Sequence, residues 1–157
     1  MLVRKVENTL IEKLTNYDRI VMVEGARQIG KTYIIRYVGK KLFKNFIEIN
    51  LLDDLNGEKI FENVTTVDKF YMQVSAMYGN LLDKKENTLI FLDEIQAYPH
   101  LITMLKFLKD DDKYTYITSG SLLGVTLNEC VSVPMGYVST VKMYPLDFEE
   151  FLLATGV

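Results

Sequence analysis

Residues 25–32 have the types and the spacing needed to wrap a chain of phosphates. The segment reads G-A-R-Q-I-G-K-T, which matches the phosphate-binding pattern G-x-x-x-x-G-K-[ST]. Gly25 and Gly30 would let the backbone turn its N–H groups inward around anionic oxygens. Lys31 would bring a positive charge to the β- and γ-phosphates, and the Thr32 hydroxyl would ligate Mg²⁺. This segment, hereafter the phosphate loop, therefore predicts a nucleoside triphosphate site.

We expect the nucleotide to contact the whole phosphate loop and the residue that follows it. The predicted nucleotide-binding residues are Gly25, Ala26, Arg27, Gln28, Ile29, Gly30, Lys31, Thr32 and Tyr33. A helix beginning near Gly30 would direct its unpaired amides and positive dipole end at the same phosphates. The guanine-reading pattern [N/T]-K-x-D does not occur after the loop, so we expect ATP as the nucleotide.

An acidic pair behind an apolar run is the second chemically informative feature. Residues 88–92 read T-L-I-F-L, and Asp93 and Glu94 follow directly. The segment matches the second motif of phosphate-loop ATPases, in which Asp93 would hold Mg²⁺ and Glu94 would polarise the attacking water. Ligands of open parallel sheets lie beyond the carboxyl ends of the strands, where this pair and the phosphate loop would converge. The two segments together predict an ATPase site.

The segment 117–121, which reads I-T-S-G-S, supplies the third predicted catalytic residue. A polar residue at the tip of a strand between the first strand and the acidic strand would sense the γ-phosphate. Ser119 is the first candidate for this catalytic role, and Thr118 and Ser121 are the alternatives. An ordinary polar loop would also account for S-G-S.

Alternating strand and helix patterns surround these residues and would position them. Apolar or alternating runs predict strands at 20–23, 46–50, 88–92, 114–118 and 138–143. Helical spacing predicts helices at 6–14, from the phosphate loop to about 39–41, at 67–82 and from Pro99 to the acidic run 110–112, with a polar loop at 53–57 and a helical piece at 58–63. This order favours an α/β phosphate-loop NTPase fold, a five-stranded parallel sheet covered by helices on both faces.

The amino-acid composition argues against several classes of protein. With 157 residues and 48% hydrophobic residues, the chain can bury one substantial core. A net charge of −3 argues against a protein that coats nucleic acid, although a local basic patch stays open. Cys130 is the single cysteine of the sequence, which excludes a disulfide framework. No apolar stretch approaches 18 residues, so we expect no membrane span and a cytoplasmic location.

Three motifs in this order resemble a family of bacterial and archaeal predicted ATPases of the AAA-like class. They are G-x-R-Q-x-G-K-T at 25–32, F-L-D-E-I-Q at 91–96 and P-L-x-F-x-E-F-L at 145–152. The T-S-G-S of 118–121 is also similar to a strand end of that family. The resemblance implies an AAA-like ATP-binding domain over residues 1–157.

Members of that family usually continue into a helical lid and a C-terminal domain of nuclease-like fold. We therefore expect this chain to be the N-terminal part of a longer protein, with the lid absent. The expected partners are ATP and either other copies of the chain or a C-terminal effector domain; nucleic acid stays open, although the net charge does not indicate it.

Two departures from the family pattern bear on activity. Tyr137 stands where members commonly have a basic residue after a glycine, and the arginines are confined to positions 4, 19, 27 and 36. Because an arginine that neutralises transition-state charge raises turnover by about 10³ to 10⁵, we expect slow hydrolysis. Arg27 could take part of that role, but we favour a position in which it faces a neighbouring loop or solvent.

Three functions are compatible with these sequence features. The leading interpretation is a Mg²⁺-dependent ATPase domain that couples nucleotide turnover to a conformational change. The alternative is a nucleotide-gated binding module with negligible turnover. A small-molecule kinase is disfavoured, because neither lid arginines nor an acceptor pocket can be recognised.

Overall fold

Five α-helices and five β-strands follow one another along the described part of this computed structural model, residues 4–16, 19–26, 30–121 and 136–144. The strands are β1 (Ile20–Glu24), β2 (Asn45–Asn50), β3 (Thr88–Asp93), β4 (Thr115–Gly120) and β5 (Val138–Lys142). The helices are α1 (Arg4–Asn16), α2 (Lys31–Leu42), α3 (Leu51–Leu55), α4 (Val67–Tyr78) and α5 (Pro99–Asp111). None of the helices within these ranges is long and apolar enough to cross a membrane.

The five strands form one parallel sheet in the order β2-β3-β4-β1-β5. This arrangement confirms the predicted α/β class and the five-stranded parallel sheet. It also places β4 between β1 and β3, where the sensing strand was expected. The carboxyl ends of β1, β3 and β4 consequently lie side by side at one edge of the sheet.

Helices cover both faces of the sheet, and alternation along the strands divides the core in two. In β1, Val21 and Val23 pack with α1 and α2, whereas Ile20 and Met22 face the opposite layer, which contains α3, α4 and α5. A strand buried on both faces reads as a continuous apolar run, which is why β1 and β3 could be recognised in the sequence.

Gly39 sets how closely α2 lies on the sheet. A Cβ atom added at Gly39 would stand 2.5 Å from two ring carbons of Phe46 and 3.0 Å from the Leu89 side chain. Only a residue without a side chain permits this approach. The close packing fixes α2 against β2 and β3, and with it the position of Lys31 and Thr32 at the start of that helix.

The connection between β2 and α4 differs from the prediction in two places. Residues 53–57, expected as a polar loop, include the second half of α3. The cause is a local cap: the Asn50 side chain accepts a hydrogen bond from the backbone N–H of Asp53 at 3.0 Å, which satisfies one of the amides left unpaired at a helix start.

The predicted helical piece at 58–63 is also wrong, because these residues form turns and irregular backbone. The carboxylate of Asp54 accepts hydrogen bonds from the backbone N–H groups of Ile60 and Phe61, each at 2.9 Å. Lys59 adopts a left-handed conformation with φ 55°. An aspartate that binds backbone amides in this way stabilises a turn in place of a helix.

Candidate functional site

The predicted site residues meet at the edge formed by β1, β3 and β4. Glu24 in β1 pairs in register with Gly120 in β4, and Leu92 in β3 pairs with Thr118 in β4. The backbone N–H of Gly25 continues the ladder by donating to the carbonyl of Gly120 at 3.3 Å. The phosphate loop, the acidic pair and the polar end of β4 are therefore neighbours, although they are far apart in the sequence.

The phosphate loop begins at Gly25 and Ala26 and reaches α2 through Gly30. Arg27, Gln28 and Ile29, predicted to bind nucleotide, lie outside the described residues, as do Cys130 and the 145–152 motif. Gly30 precedes the first turn of α2 with φ 92° and ψ 14°, a left-handed conformation that strains residues with a side chain. No atom of the described residues lies within 4 Å of a Cβ added there, so the requirement for glycine is conformational.

Lys31 is buried within the loop and links it to β4. Its side chain is 5% exposed. The ammonium donates hydrogen bonds to the carbonyl oxygens of Gly25 at 2.6 Å and Ala26 at 2.9 Å, and to the Ser121 hydroxyl at 3.3 Å. A positive charge is thus held where backbone amides and a helix N-terminus also favour anions.

Thr32 and Asp93 bring two oxygen ligands together. The Thr32 hydroxyl donates to the Asp93 carboxylate at 3.3 Å, and Asp93 is only 3% exposed. Hydroxyl and carboxylate oxygens are the ligands that Mg²⁺ takes from proteins, usually a few of them supplemented by water and substrate phosphates. The donor set therefore fits the ion that the sequence predicted at Thr32 and Asp93.

Burial raises the pKa of Asp93 above its ordinary value, because desolvation disfavours the carboxylate. The negative charges of Glu94 and Glu48 act in the same direction, and hydrogen bonds from Ser119 and Thr32 act against it. A carboxylate whose charge is costly in this way would gain from a bound cation.

Ser119 joins the two acidic residues. Its hydroxyl is fully buried, donates to Asp93 Oδ1 at 2.5 Å and accepts a hydrogen bond from the backbone N–H of Glu94 at 3.2 Å. Of the three residues considered as γ-phosphate sensors, it is Ser121 that contacts Lys31. The Thr118 hydroxyl is buried and has no hydrogen-bond partner among the described residues.

Glu94, the residue predicted to polarise the attacking water, does not continue the extended backbone of β3. It adopts φ 58° and ψ 53°, a left-handed conformation that costs a residue other than glycine about 1–3 kcal/mol. Its carboxylate accepts a hydrogen bond from Gln96 Nε2 at 2.5 Å. Such outliers cluster at functional sites, where the surrounding structure compensates for the strain.

Two other residues complete the account of the site. Tyr33, predicted to contact nucleotide, follows Thr32 on the first turn of α2 and is 52% exposed. Glu48 was not recognised from the sequence; it binds the Arg36 guanidinium through both carboxylate oxygens at 2.6 Å and raises the pKa of Asp93. The alternation of side chains along β2 was the signal that could have identified Glu48. Asn50 pairs in register with Asp93, and Glu48, two residues before Asn50, lies on the same face of the sheet.

Comparison with known proteins gives a consistent result. A family profile described as AAA domain matches residues 17–152 of this chain. The uncharacterized protein MJ1544 of Methanocaldococcus jannaschii is 28% identical over 149 residues, which cover 94% of this chain and 31% of that protein. This chain therefore spans about a third of the length of that relative.

Solved structures of low sequence identity share the fold. The Walker-type ATPase paby2304 of Pyrococcus abyssi superposes with a TM-score of 0.56 at 15% identity, covering 98% of this chain and 57% of that one. AMPPCP-bound DnaA from Aquifex aeolicus gives 0.55 at 14% identity, covering 96% and 48%. Drosophila ORC bound to poly(dA/dT) DNA and Cdc6 gives 0.56 at 9% identity, covering 96% and 30%.

Proposed function

Because this chain belongs to the AAA domain family, we propose that it binds Mg²⁺ and ATP at the carboxyl edge of the sheet and hydrolyses the ATP. The observation that carries the proposal is the contact between the Thr32 hydroxyl and the Asp93 carboxylate, 3.3 Å apart across 61 positions of sequence. It joins the end of the phosphate loop to the acidic pair, and these are the two parts that phosphoryl transfer requires in one place.

In this proposal the phosphate loop binds the triphosphate. Lys31 would exchange its hydrogen bonds to loop carbonyls for contacts with phosphate oxygens, which carry full negative charge. The first amides of α2 would contribute the positive end of the helix dipole. Thr32 and Asp93 would hold Mg²⁺, which when bound neutralises charge on the phosphate oxygens.

Hydrolysis would proceed by attack of water in line with the bond that breaks. The water oxygen forms a bond to the γ-phosphorus while the bond from that phosphorus to the β–γ bridging oxygen breaks, giving ADP and phosphate. Glu94 would orient the water and accept its proton. Lys31 would stabilise the charge that moves onto the leaving oxygen. Ser119 would keep Asp93 and Glu94 in a fixed relation, in addition to the sensing role predicted for it.

The proposed output is a conformational change. Glu94 begins the short segment that ends at Tyr98, and the Tyr98 hydroxyl donates to the Asp54 carboxylate at 2.8 Å. Asp54 in turn holds the backbone of Ile60 and Phe61. A movement of Glu94 on hydrolysis would therefore be transmitted to the turns between β2 and α4 through hydrogen-bonded neighbours.

We further propose that residues 1–157 are the ATP-binding domain of a longer protein, with an effector region beyond them and other copies of the chain as partners. This chain covers only 31% of MJ1544, so that relative extends well beyond the matching part, and this supports the proposal. One similar structure carries AMPPCP, and another includes DNA and a second protein. Nucleotide, protein and nucleic acid are therefore all candidate partners. The net charge of −3 gives nucleic acid no general support.

Calorimetric titration tests the nucleotide site. Mg²⁺–ATP is titrated into the wild type, into Lys31→Met and into Lys40→Met, with GTP as the competing nucleotide. Lys40 is an exposed lysine of the same helix, so it controls for the loss of one charge. Since a hydrogen bond to a charged group contributes about 1.5–3 kcal/mol, we expect Lys31→Met to bind at least about 10-fold more weakly. Equal affinity in the three proteins, or no binding by the wild type, would refute the proposed site.

Glu94→Gln distinguishes an ATPase from a nucleotide-gated binding module. If the chain is an ATPase, the variant keeps its affinity for ATP and loses about 10²- to 10⁴-fold in turnover under single-turnover conditions. If nucleotide is only a structural ligand, the wild type and the variant release phosphate at the same background rate. Phosphate recovered on an added acceptor would indicate a kinase.

A further inference from the structure

We propose that Gln96 is a positioning residue for Glu94, and that its side-chain amide holds the carboxylate in the orientation needed to activate water. This inference rests on the proposed ATPase function and adds to it a residue outside the phosphate loop and the acidic pair. The supporting observation is the hydrogen bond from Gln96 Nε2 to Glu94 Oε2 at 2.5 Å. An amide that donates to a carboxylate makes a stronger and shorter bond than an amide that donates to a neutral acceptor.

The direction of this amide follows from its surroundings. The opposite atom, Gln96 Oε1, is buried and has no hydrogen-bond partner among the described residues. Turning the amide over would place Oε1 against the carboxylate, where two acceptors repel each other. Gln96 therefore directs its donor at Glu94, and the described residues offer its oxygen no competing donor.

The backbone is shaped to make the contact. Side chains two positions apart do not face each other in an α-helix. Here the left-handed conformation of Glu94 precedes a 3₁₀ turn, Ile95–Ala97, and this combination brings Gln96 back to Glu94. The strained conformation thus has a consequence that ordinary helical backbone would not allow, namely a neighbouring donor for the carboxylate.

The remainder of the turn is already fixed without Gln96. The Ile95 side chain is fully buried, the backbone N–H of Ala97 donates to the carbonyl of Glu94 at 3.1 Å, and the backbone N–H of Glu94 donates to Ser119. These contacts hold the backbone, whereas the Glu94 side chain retains rotations that they do not restrict. Gln96 restricts those rotations, and this is the effect expected of a positioning residue.

The test is a double-mutant cycle between Gln96→Met and Glu94→Gln. Methionine keeps the length of glutamine and removes the donor, and Gln73→Met in α4 is the matched control. We expect Gln96→Met to lower kcat about 10-fold, similar to the loss caused by removing residues that orient metal ligands, with the Kd for Mg²⁺–ATP unchanged within about twofold. In the Glu94→Gln background the same substitution should cause no further loss, because its effect passes through Glu94. Additive losses, or an unchanged kcat, would overturn the proposal.

A nuclear magnetic resonance measurement tests the contact without turnover. The side-chain amide signal of Gln96 is identified by its disappearance in Gln96→Met. It should shift in Glu94→Gln, because the acceptor loses its charge, while the Gln73 signal stays in place. An unmoved Gln96 signal would overturn the inference.

The two levels of the proposal fail in different ways. If Glu94→Gln leaves phosphate release unchanged, the ATPase function is refuted, and the inference falls with it. If Glu94→Gln abolishes release and Gln96→Met leaves kcat unchanged, the ATPase function stands and only the role of Gln96 is refuted.

Discussion

We expect Asp93→Asn to stabilise the nucleotide-free protein while it removes the ligand proposed for Mg²⁺. The substitution conserves shape and both hydrogen bonds. Ser119 donates to Asp93 Oδ1, and the side-chain oxygen of asparagine can accept the same bond. Thr32 donates to Oδ2, and with asparagine the direction reverses, so that the new amide donates to the Thr32 hydroxyl. What the variant loses is the buried charge and its repulsion by other carboxylates.

The sign of the effect follows from the raised pKa of Asp93. A raised pKa in the folded state means that the folded protein binds this proton more tightly than the unfolded chain does. The resulting stabilisation is complete below the unfolded pKa of about 3.9 and is lost as the pH rises through the higher folded pKa. At pH 7.5 the wild type therefore bears the full cost of the buried carboxylate, and the asparagine variant does not.

Single stabilising substitutions commonly gain about 0.5–2 kcal/mol, and we expect Asp93→Asn to fall in this range. For a chain of this length, about 2–4 °C of melting temperature corresponds to 1 kcal/mol, so we expect an increase of about 1–8 °C at pH 7.5. The assay is urea and thermal unfolding from pH 7.5 downwards, with Asp110→Asn, an exposed aspartate of α5, as the charge-matched control. Saturating Mg²⁺–ATP should reverse the order, because ligand binding stabilises only the protein that binds it. A variant less stable than the wild type at pH 7.5, or a gain that does not shrink as the pH falls, would refute this reasoning.

Two further substitutions test the framework around the site. Gly39→Ala should destabilise the protein by up to about 2 kcal/mol, because overpacking against Phe46 costs about 1–3 kcal/mol and the gain in helix propensity returns about 1 kcal/mol; an increased free energy of unfolding in urea would contradict the close approach. Tyr98→Phe removes the hydrogen bond to the Asp54 carboxylate and should lower the free energy of unfolding by about 1–3 kcal/mol. For this variant, a urea midpoint equal to that of the wild type would show that the contact contributes nothing.

The elements that could be predicted from the sequence are those whose patterns are local. Strand β1 was predicted at 20–23 and runs from Ile20 to Glu24, since burial on both faces produces an uninterrupted apolar run. The helix predicted at 67–82 is α-helical from Val67 to Tyr78 and continues as a 3₁₀ turn, Gly79–Leu81. In both cases the hydrophobic period was sufficient, because neighbours in the sequence determine it.

The turns at 58–63 could not be predicted in the same way. They depend on Asp54, whose carboxylate also accepts a hydrogen bond from the hydroxyl of Tyr98, a residue 44 positions later in the sequence. Glu94 presents the same difficulty, because its left-handed backbone and its bond to Gln96 depend on the way in which β3, β4 and α5 meet. Propensities describe single residues and short windows, so such contacts leave little trace in them.

The sequence by itself predicted a nucleotide site and determined the class of fold. Glycine spacing, a lysine and a hydroxyl residue at the start of a helix, and an acidic pair after a buried strand are short-range features with a physical purpose of their own. Tertiary structure alone decided how those groups meet: Ser121 rather than Ser119 contacts Lys31, Ser119 donates a hydrogen bond to Asp93, and Gln96 donates one to Glu94. The reason is that a hydrogen bond forms only within a few tenths of an ångström of the preferred donor–acceptor distance. The packing of several strand ends against one another sets these distances.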